Sequence, residues 1–434
     1  MAGTKPTAPR DEPGAAAVPS GATVGYSTNV HPGDSLDELW ASLDDAGEVR
    51  RLVHPKRPLP LELRLSLPVT RALAADPALV ARLAAALRDR DLRAVSVSAF
   101  SPLPFHGQPV KEKAYLPRWD EEERVTFSQQ VAEVLAGFGP ADEPFLSFST
   151  LAGVLKHHAV GRDTDAAIAR NIARVALHCH RVGQRTGQKI VMALEPEPGL
   201  TYETTDEVIA FFRGPLDRAF TQVLGPETVG PATAIALGRD LIGVNFDFCH
   251  QSIEFEDNPT SLRRLVDAGI RLYKCHAANA MRVVDPLRNP KACEALKPFT
   301  DSIFPHQVIG ADAGGRRVFF CMDLPYIFTP EGGHELERKG VREIRIHYHV
   351  PVFGNFSSDI DTTIEGTWAG IAAFRSLAPE APLIVECYTW SEQGGAEADR
   401  RRWIQEGLAR EVRTVHETIL LARTPEDRGR RDAD

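Results

Sequence analysis

The stretch Lys189-Ile-Val-Met-Ala-Leu-Glu195 decides the fold, because a short apolar run ends abruptly there in a carboxylate. Such a run predicts a buried strand, and a charge that directly follows it needs a partner to offset its desolvation. Three later apolar runs end in the same manner, at Asp247 with His250, at His276 and at Glu386. Polar side chains at successive strand ends are typical of a parallel barrel whose strand ends converge on one face.

Short apolar runs alternate with amphipathic helical stretches along the chain, which predicts βαβ units and a parallel sheet. The runs assigned to barrel strands are 24–30, 61–66, 93–100, 145–150, 189–195, 242–247, 272–276 and 382–387. We therefore predict an α/β fold, a (β/α)8 TIM barrel, as a single domain over residues 23–422. The composition of residues 1–22 predicts a disordered tail, and the charged residues 423–434 predict a frayed one.

The sequence has nine strand-like runs, one more than the eight strands of the barrel. Residues 342–350 alternate apolar and polar side chains and are predicted to form a strand. They form an inserted hairpin with residues 317–322, or they belong to an elaborated seventh unit that begins at His276, and the sequence leaves both readings open. A long insertion in a compact domain is usually functional, so residues 280–340, before the last strand, are the candidate lid.

Charge, cysteine content and motifs narrow the class of protein. A net charge of -9 and a pI near 5.9 disfavour nucleic acid as the main partner, because such binding needs a basic surface. The six cysteines form no Cys-x-x-Cys pair, which is typical of reduced thiols in a cytoplasmic enzyme. We find no run long enough to span a membrane, no glycine-rich phosphate motif and no nucleophile elbow. A homodimer is one candidate assembly.

The strand-end residues have the chemistry of metal ligands. Carboxylate oxygens and an imidazole nitrogen together suit a divalent ion, and Mn²⁺, Mg²⁺, Co²⁺ and Zn²⁺ all accept such a set. We predict that Glu195, Asp247, His276 and Glu386 bind one divalent metal ion. The competing interpretation for each is an ordinary buried ion pair or a solvated acidic loop.

Further polar residues near these strand ends are candidates for binding a substrate. Glu197 lies two residues beyond Glu195 on the same side of an extended chain, and His250 follows Asp247 at the exit of its strand. The loop after the third strand contributes His106 and Lys111, although a structural proline-rich loop is an alternative there. Lys274 shares a strand face with His276 and is the last of this group.

His347 and His349 are separated by two positions in the predicted strand 342–350, so both point to one face. This arrangement favours a metal-binding pair or a substrate clamp, and it equally fits the half-exposed face of a hairpin.

The order of these residues, with Asp247-Phe-Cys-His250 as the most specific motif, resembles the xylose isomerase-like TIM-barrel superfamily. Three further stretches resemble the bacterial EboE-like "metabolite traffic protein" family. They are Gly25-Tyr-Ser-Thr-Asn-Val-His-Pro32, Phe105-His-Gly-Gln-Pro-Val-Lys111 and Leu194-Glu-Pro-Glu-Pro-Gly199. The resemblance covers roughly residues 24–420.

The resemblance implies an isomerase or epimerase of a sugar or cyclitol in a secondary-metabolite pathway. By that resemblance, the metal stabilises an enediolate of a small polyhydroxylated metabolite, and Glu195 and Glu386 act as base and acid. His250 then holds a substrate oxygen.

Two other functions compete with this one. A non-catalytic metabolite-binding or trafficking protein would keep the same barrel, but its ligand set would be expected to decay, and all four candidates are present here. A zinc phosphodiesterase of the endonuclease IV type would use extra histidines, such as His106, His347 or His349. The predicted second strand ends without a histidine, and the acidic pI disfavours DNA.

Overall fold

The structure is a computed structural model that describes residues 24–54, 56–103, 111–159, 163–300, 304–353, 359–387, 390 and 397–421. The predicted tails, 1–22 and 423–434, lie outside the described residues, and so does His106.

Thirteen strands are described. They are β1 (Val24–Ser27), β2 (Leu59–Arg64), β3 (Leu92–Ser98), β4 (Leu146–Leu151), β5 (Ile190–Glu195), β6 (Ile242–Asp247), β7 (Leu272–Ala277), β8 (Asn279–Val284), β9 (Val308–Ala311), β10 (Arg317–Cys321), β11 (Glu343–Val350), β12 (Asp361–Thr362) and β13 (Leu383–Val385).

The α-helices of the described residues connect and cover these strands. They are α1 (Leu36–Val53), α2 (Leu67–Ala75), α3 (Pro77–Asp89), α4 (Glu122–Phe138), α5 (Asp163–Thr186), α6 (Thr205–Phe211), α7 (Asp217–Leu224), α8 (Pro231–Arg239), α9 (Phe248–Ile253), α10 (Asn258–Asp267), α11 (Pro290–Leu296), α12 (Pro330–Arg338), α13 (Ile364–Leu377) and α14 (Glu397–Leu421). None of these helices has the length and apolar character that crossing a membrane requires.

Strands β1 to β7 and β13 form a closed parallel barrel in the order β1-β13-β7-β6-β5-β4-β3-β2. The predicted (β/α)8 barrel is therefore confirmed. Its strands are almost wholly buried, as expected of a parallel sheet covered by helices on its outer side. The order places β5, β6, β7 and β13 side by side, so that their carboxyl ends meet in one sector of the barrel mouth.

The remaining five strands form a second, antiparallel sheet in the order β10-β9-β11-β8-β12. The extra strand predicted at residues 342–350 is β11, and it belongs to this antiparallel sheet and not to the barrel. It pairs with β8 and β9, while residues 317–321 pair with β9, so the suggested direct hairpin of 317–322 with 342–350 does not form. We call strands β8 to β12 the inserted sheet.

The inserted sheet has a hydrophobic core of its own, built from residues such as Met281, Leu336, Ile344 and Ile346. A single residue separates the end of barrel strand β7 from the start of β8. Asn279 donates a hydrogen bond to the Pro351 carbonyl over 2.7 Å. The end of β11 is thereby tied to the start of β8, next to the end of barrel strand β7.

All six cysteines are free thiols, and five of them are buried. The expectation of reduced cysteines in place of a disulfide framework is confirmed.

Gly25 is required by the close approach of β1 and β2. A Cβ atom on Gly25 would lie 2.2 Å from the carbonyl oxygen of Pro60, which the barrel backbone holds in place.

We expect Gly25→Ala to lower the free energy of unfolding by about 1–3 kcal/mol, the usual effect of overpacking a core. Thermal melting of Gly25→Ala would measure this. The matched control is Gly333→Ala in α12, where a Cβ meets nothing within 4 Å; equal melting temperatures for the two variants would contradict the prediction.

Candidate metal and ligand site at the barrel mouth

Glu195, Asp247, His276 and Glu386 meet at the mouth of the barrel, and we call them the carboxylate–histidine cluster. One ligand atom from each lies within 4.8 Å of all the others, and all four residues are buried. Nδ1 of His276 lies 2.9 Å from Glu195 Oε1, 2.8 Å from Glu386 Oε2 and 3.5 Å from Asp247 Oδ2. The structure thus brings together the residues that the sequence predicted as metal ligands.

Strand register explains why these side chains meet. His276 on β7 has Asp247 of β6 as its direct neighbour on one side and Ile384 of β13 as its neighbour on the other. Asp247 also caps α9, because its Oδ1 accepts a hydrogen bond of 3.0 Å from the His250 backbone N–H. The Asp-x-x-His spacing therefore starts a helix and fixes one carboxylate oxygen, which leaves Oδ2 pointing at the cluster.

Glu62, on β2, fixes the orientation of His276 from beneath. Its Oε2 accepts a hydrogen bond of 2.9 Å from His276 Nε2, and its Oε1 pairs with the ammonium of Lys274. A carboxylate paired with an ammonium only accepts hydrogen bonds, so Nε2 of His276 holds a proton and Nδ1 faces the cluster. The amide of Asn245, 3.2 Å from Nδ1, is placed to donate to it.

The cluster concentrates negative charge in a buried place. Burial raises the pKa of the Asp247 carboxyl, but His250, His349 and His276 outweigh this effect and lower it to about 2. Burial likewise opposes ionisation of Glu386, yet His276 and His349, with a hydrogen bond from Asn29, lower the pKa of its carboxyl. Burial would lower the pKa of His276, but Glu386 and Glu195 raise it well above its usual value. With no ion bound, the carboxyls of Asp247 and Glu386 are therefore driven to their ionised forms and His276 to its protonated form, and a metal ion would take the place of the proton on His276 Nδ1.

The donor set fits a divalent metal ion. Oε2 of Glu195 and Oδ2 of Asp247 are buried and accept no hydrogen bond from the part of the chain that the structure describes. Lys274, the nearby ammonium, is occupied by Glu62. Three carboxylates and one imidazole Nδ1 are a ligand set that Mn²⁺, Mg²⁺, Co²⁺ or Zn²⁺ accepts. An ion among them would satisfy the unpartnered oxygens and offset the charge.

The cluster opens into a cavity of about 840 Å³ of space, including its mouth. Its walls are Asn29, Arg64, Ser98, Phe100, Ser101, Ala114, Tyr115, Glu195, Glu197, His250, Phe304, Pro305, His306, His347, Tyr348, His349 and Glu386. The barrel supplies the acidic floor, and the inserted sheet with residues 304–306 supplies the side that carries most of the histidines. The cavity is thus built jointly by the barrel and the inserted sheet.

His250, His347 and His349 meet at this cavity, and we call them the three-histidine cluster. Their Nε2 atoms lie 3.0 Å (His250 to His347), 3.2 Å (His347 to His349) and 3.3 Å (His349 to His250) apart. Burial lowers the pKa of His250 and, with His250 and His349 as neighbours, lowers that of His347 far more. Of the readings that the sequence left open for His347 and His349, the half-exposed face of a hairpin does not describe them, because both rings line the cavity.

Glu197 lies at the edge of the cavity between the barrel and the inserted sheet. Its Oε1 accepts a hydrogen bond of 2.7 Å from the Tyr115 hydroxyl and one of 3.2 Å from the Gln307 amide. Burial raises the pKa of the Glu197 carboxyl to about 8. A protonated Glu197 would be a hydrogen-bond donor to a ligand, in contrast to the ionised Glu386 nearby.

Both lysines that were predicted to bind a ligand have other partners. Lys111 forms an ion pair of 2.6 Å with Asp323 and donates to the Phe304 carbonyl, so it joins the loop after β3 to the inserted segment. Lys274 is fully buried against Glu62. Neither is among the residues that line the cavity.

Several polar residues of the site were missed by sequence reasoning. Asn29 donates a hydrogen bond of 2.6 Å to Glu386, and Glu62 orients His276 from the opposite side of the barrel interior. Glu62 had a signal in the sequence, since it is an acid within the alternating run Leu61-Glu-Leu-Arg-Leu65 and needs a buried partner. Asn29 and Gln307 had none, because their partners lie far away along the chain.

No protein-family model matches the chain, and no curated protein matches it. Solved structures with a similar fold include a xylose isomerase domain protein from Planctomyces limnophilus, at 11% identity and a TM-score of 0.45, over 92% of this chain and 96% of that one. The IOLI protein with a binding zinc atom is 12% identical, with a TM-score of 0.43, over 91% and 96% of the two chains. A D-tagatose 3-epimerase-like protein is 10% identical, with a TM-score of 0.43, over 92% and 99%. The barrel of this chain is established by its own strand order, and these likenesses are reported as similarities of fold alone.

We expect the carboxylate–histidine cluster to bind one Mn²⁺, an ion that prefers oxygen ligands. Asp247→Asn keeps the acceptor that caps α9 but removes the charge, so it should weaken Mn²⁺ binding by more than about 100-fold, since loss of an outer partner alone costs about 10–100-fold. Isothermal titration of the metal-free protein measures this. Asp44→Asn, at an exposed carboxylate paired with Arg90, is the control; equal affinities in the two variants would exclude a metal at this cluster.

Proposed function

We propose that this protein is a divalent-metal-dependent isomerase or epimerase of a small polyhydroxylated carbonyl compound, such as a sugar or a cyclitol. The observation that carries the proposal is that two glutamates approach the same nitrogen, Nδ1 of His276, from different strands. Glu195 is the last residue of β5, and Glu386 directly follows β13. Two carboxyl groups therefore flank one small volume at the floor of a cavity, as transfer of a proton within a bound substrate requires.

The residues of the cluster divide between holding the ion and moving the proton. Glu195, Asp247, His276 and Glu386 would hold the metal, which when bound acidifies a C–H beside a carbonyl by stabilising negative charge on oxygen. Glu195 would take up that proton, and Glu386, which is ionised at rest, would return one from the other side after taking it from water. Asn29 steadies Glu386 through its 2.6 Å hydrogen bond, and Glu62 keeps His276 turned toward the site.

The cavity wall supports a polyhydroxylated ligand. Asn29, Ser98, Tyr115, Glu197 and His250 supply hydrogen-bonding groups of both kinds around a small volume. A ligand with many hydroxyl groups can satisfy several of these at once, whereas an apolar ligand would leave them unpaired and buried, at a cost in binding free energy. Glu197, with its raised pKa, would donate to a substrate oxygen.

The inserted sheet would act as the cover of the site. It contributes His347, Tyr348 and His349 to the cavity, and Phe304 and Pro305 add an apolar rim. A cover of this kind excludes water, which strengthens electrostatic interactions inside the cavity and protects a reactive carbanion from stray protons. The candidate lid, residues 280–340, is thus extended to the full inserted sheet.

We further propose that the chain is an EboE-like protein. Two of the stretches that carry the resemblance line the cavity, since Gly25–Pro32 contributes Asn29, and Leu194–Gly199 contributes Glu195 and Glu197. The motifs therefore coincide with the part of the molecule that would contact a metabolite. The pathway association that the resemblance implies rests on these stretches.

The activity can be tested by hydrogen exchange. Mn²⁺-loaded protein, incubated in D₂O with a panel of ketoses and cyclitol ketones, should replace the hydrogen next to the carbonyl and form an epimer or isomer, as followed by ¹H NMR. Glu195→Gln and Glu386→Gln should each slow the exchange by about 10²–10⁴-fold, the usual contribution of a general acid or base. Glu406→Gln, at an exposed carboxylate paired with Arg402, should leave the rate unchanged.

Other outcomes favour the competing functions. A polyol that binds the Mn²⁺-loaded protein without any exchange would support a non-catalytic binding protein on the same barrel. Hydrolysis of a phosphodiester in place of exchange would support the phosphodiesterase.

A further inference from the structure

The three-histidine cluster has hydrogen bonds that determine where the ring protons lie. Nδ1 of His250 lies 2.9 Å from the Pro196 carbonyl oxygen, and Nδ1 of His349 lies 3.1 Å from the Glu386 carbonyl oxygen. A carbonyl oxygen only accepts hydrogen bonds, so both Nδ1 atoms hold their protons. Each Nε2 atom then presents its lone pair.

The same holds for His347, through Gln307. Nδ1 of His347 lies 2.7 Å from Gln307 Oε1. The Gln307 amide nitrogen donates to the Pro198 carbonyl over 3.1 Å, and this fixes which end of the amide faces His347, because a carbonyl cannot donate. His347 is therefore also protonated at Nδ1, and its Nε2 is an acceptor.

Three acceptor nitrogens at 3.0–3.3 Å from one another are electrostatically unfavourable without a cation between them. One added proton would satisfy a single contact of the triangle and leave the two unprotonated nitrogens with lone pair against lone pair. A metal ion satisfies all three. Nitrogen ligands about 2.0–2.1 Å from a tetrahedral Zn²⁺ stand about 3.3–3.4 Å apart, close to the observed spacing.

We propose that His250, His347 and His349 form a second metal site, which takes Zn²⁺ or a similar ion such as Co²⁺. Three neutral imidazoles suit these ions better than Mg²⁺ or Mn²⁺. The partners of the Nδ1 atoms are the outer-shell acceptors that commonly orient metal-binding histidines. All three rings line the cavity, so a coordination position remains for a water or for an oxygen of the substrate.

The second site adjoins the first without sharing its charge-bearing glutamates. Asp247 Oδ2 lies 3.9 Å from Nε2 of both His250 and His349, and 3.5 Å from Nδ1 of His276. Asp247 therefore lies between the two clusters. The second site goes beyond the proposed function and does not depend on it, because its three ligands are separate from Glu195, Glu386 and His276.

Zinc stoichiometry tests the second site. Metal-free protein is loaded with Zn²⁺, passed over a desalting column and analysed for bound metal. We expect two equivalents in the wild type, one in His347→Asn and in His349→Asn, and two in His178→Asn, a control histidine on α5. Glu386→Gln should lose the ion of the first site and keep that of the second. Circular dichroism of each variant in chelator shows that its fold is kept.

The outcomes separate the two proposals. One equivalent in the wild type that His347→Asn retains would overturn the second site and leave the proposed function intact. One equivalent that His347→Asn loses and Glu386→Gln retains would support the second site and overturn the metal of the proposed function.

A wild-type measurement guards against variants that fail to fold. In ¹⁵N NMR of the histidine rings, Zn²⁺ should shift the Nε2 resonances of three rings whose Nδ1 atoms stay protonated. Unchanged Nε2 resonances at saturating Zn²⁺ would overturn the second site.

Discussion

Repulsion among buried carboxylates is the constraint on which the mouth of this barrel depends. Glu195, Asp247 and Glu386 gather around one nitrogen of His276, and each uncompensated charge there would cost several kcal/mol. Glu62 holds one proton of His276 on the far side, so Nδ1 faces the carboxylates. The raised pKa of His276 shows that a proton at Nδ1 offsets their charge, and a divalent ion in that place would offset more of it.

The fold could be read from the sequence where burial alone sets the pattern. A charge at the end of an apolar strand needs a partner to offset its desolvation. The strand ends at Glu195, Asp247 and Glu386 therefore predicted both the barrel and the meeting point of these residues. Asp247-x-x-His250 was informative because the spacing reflects a helix cap. The pattern of β11 was also correct as a strand, but alternation describes one strand and says nothing about which sheet it joins.

The rest could not be read from the sequence, because it depends on pairs that are distant along the chain. His347 meets His250 only because β11 pairs with β8, which continues from barrel strand β7. Lys274 shares a face with His276, as predicted, yet its partner Glu62 comes from β2, on another side of the barrel interior. Lys111 was expected at a ligand and instead forms an ion pair with Asp323. A charged side chain in a sequence shows that a partner is needed and does not show which one.

The inserted sheet and the barrel have separate hydrophobic cores, so the polar contacts between them matter for the shape of the cavity. His250 belongs to the barrel, whereas His347 and His349 belong to β11. An ion held by all three would join the barrel and the inserted sheet directly, in addition to the ion pair of Lys111 with Asp323. Anything that binds only the joined state stabilises it by mass action. Closure of the cavity over a substrate would then depend on the ion at the three-histidine cluster, while proton transfer would depend on the glutamates below it.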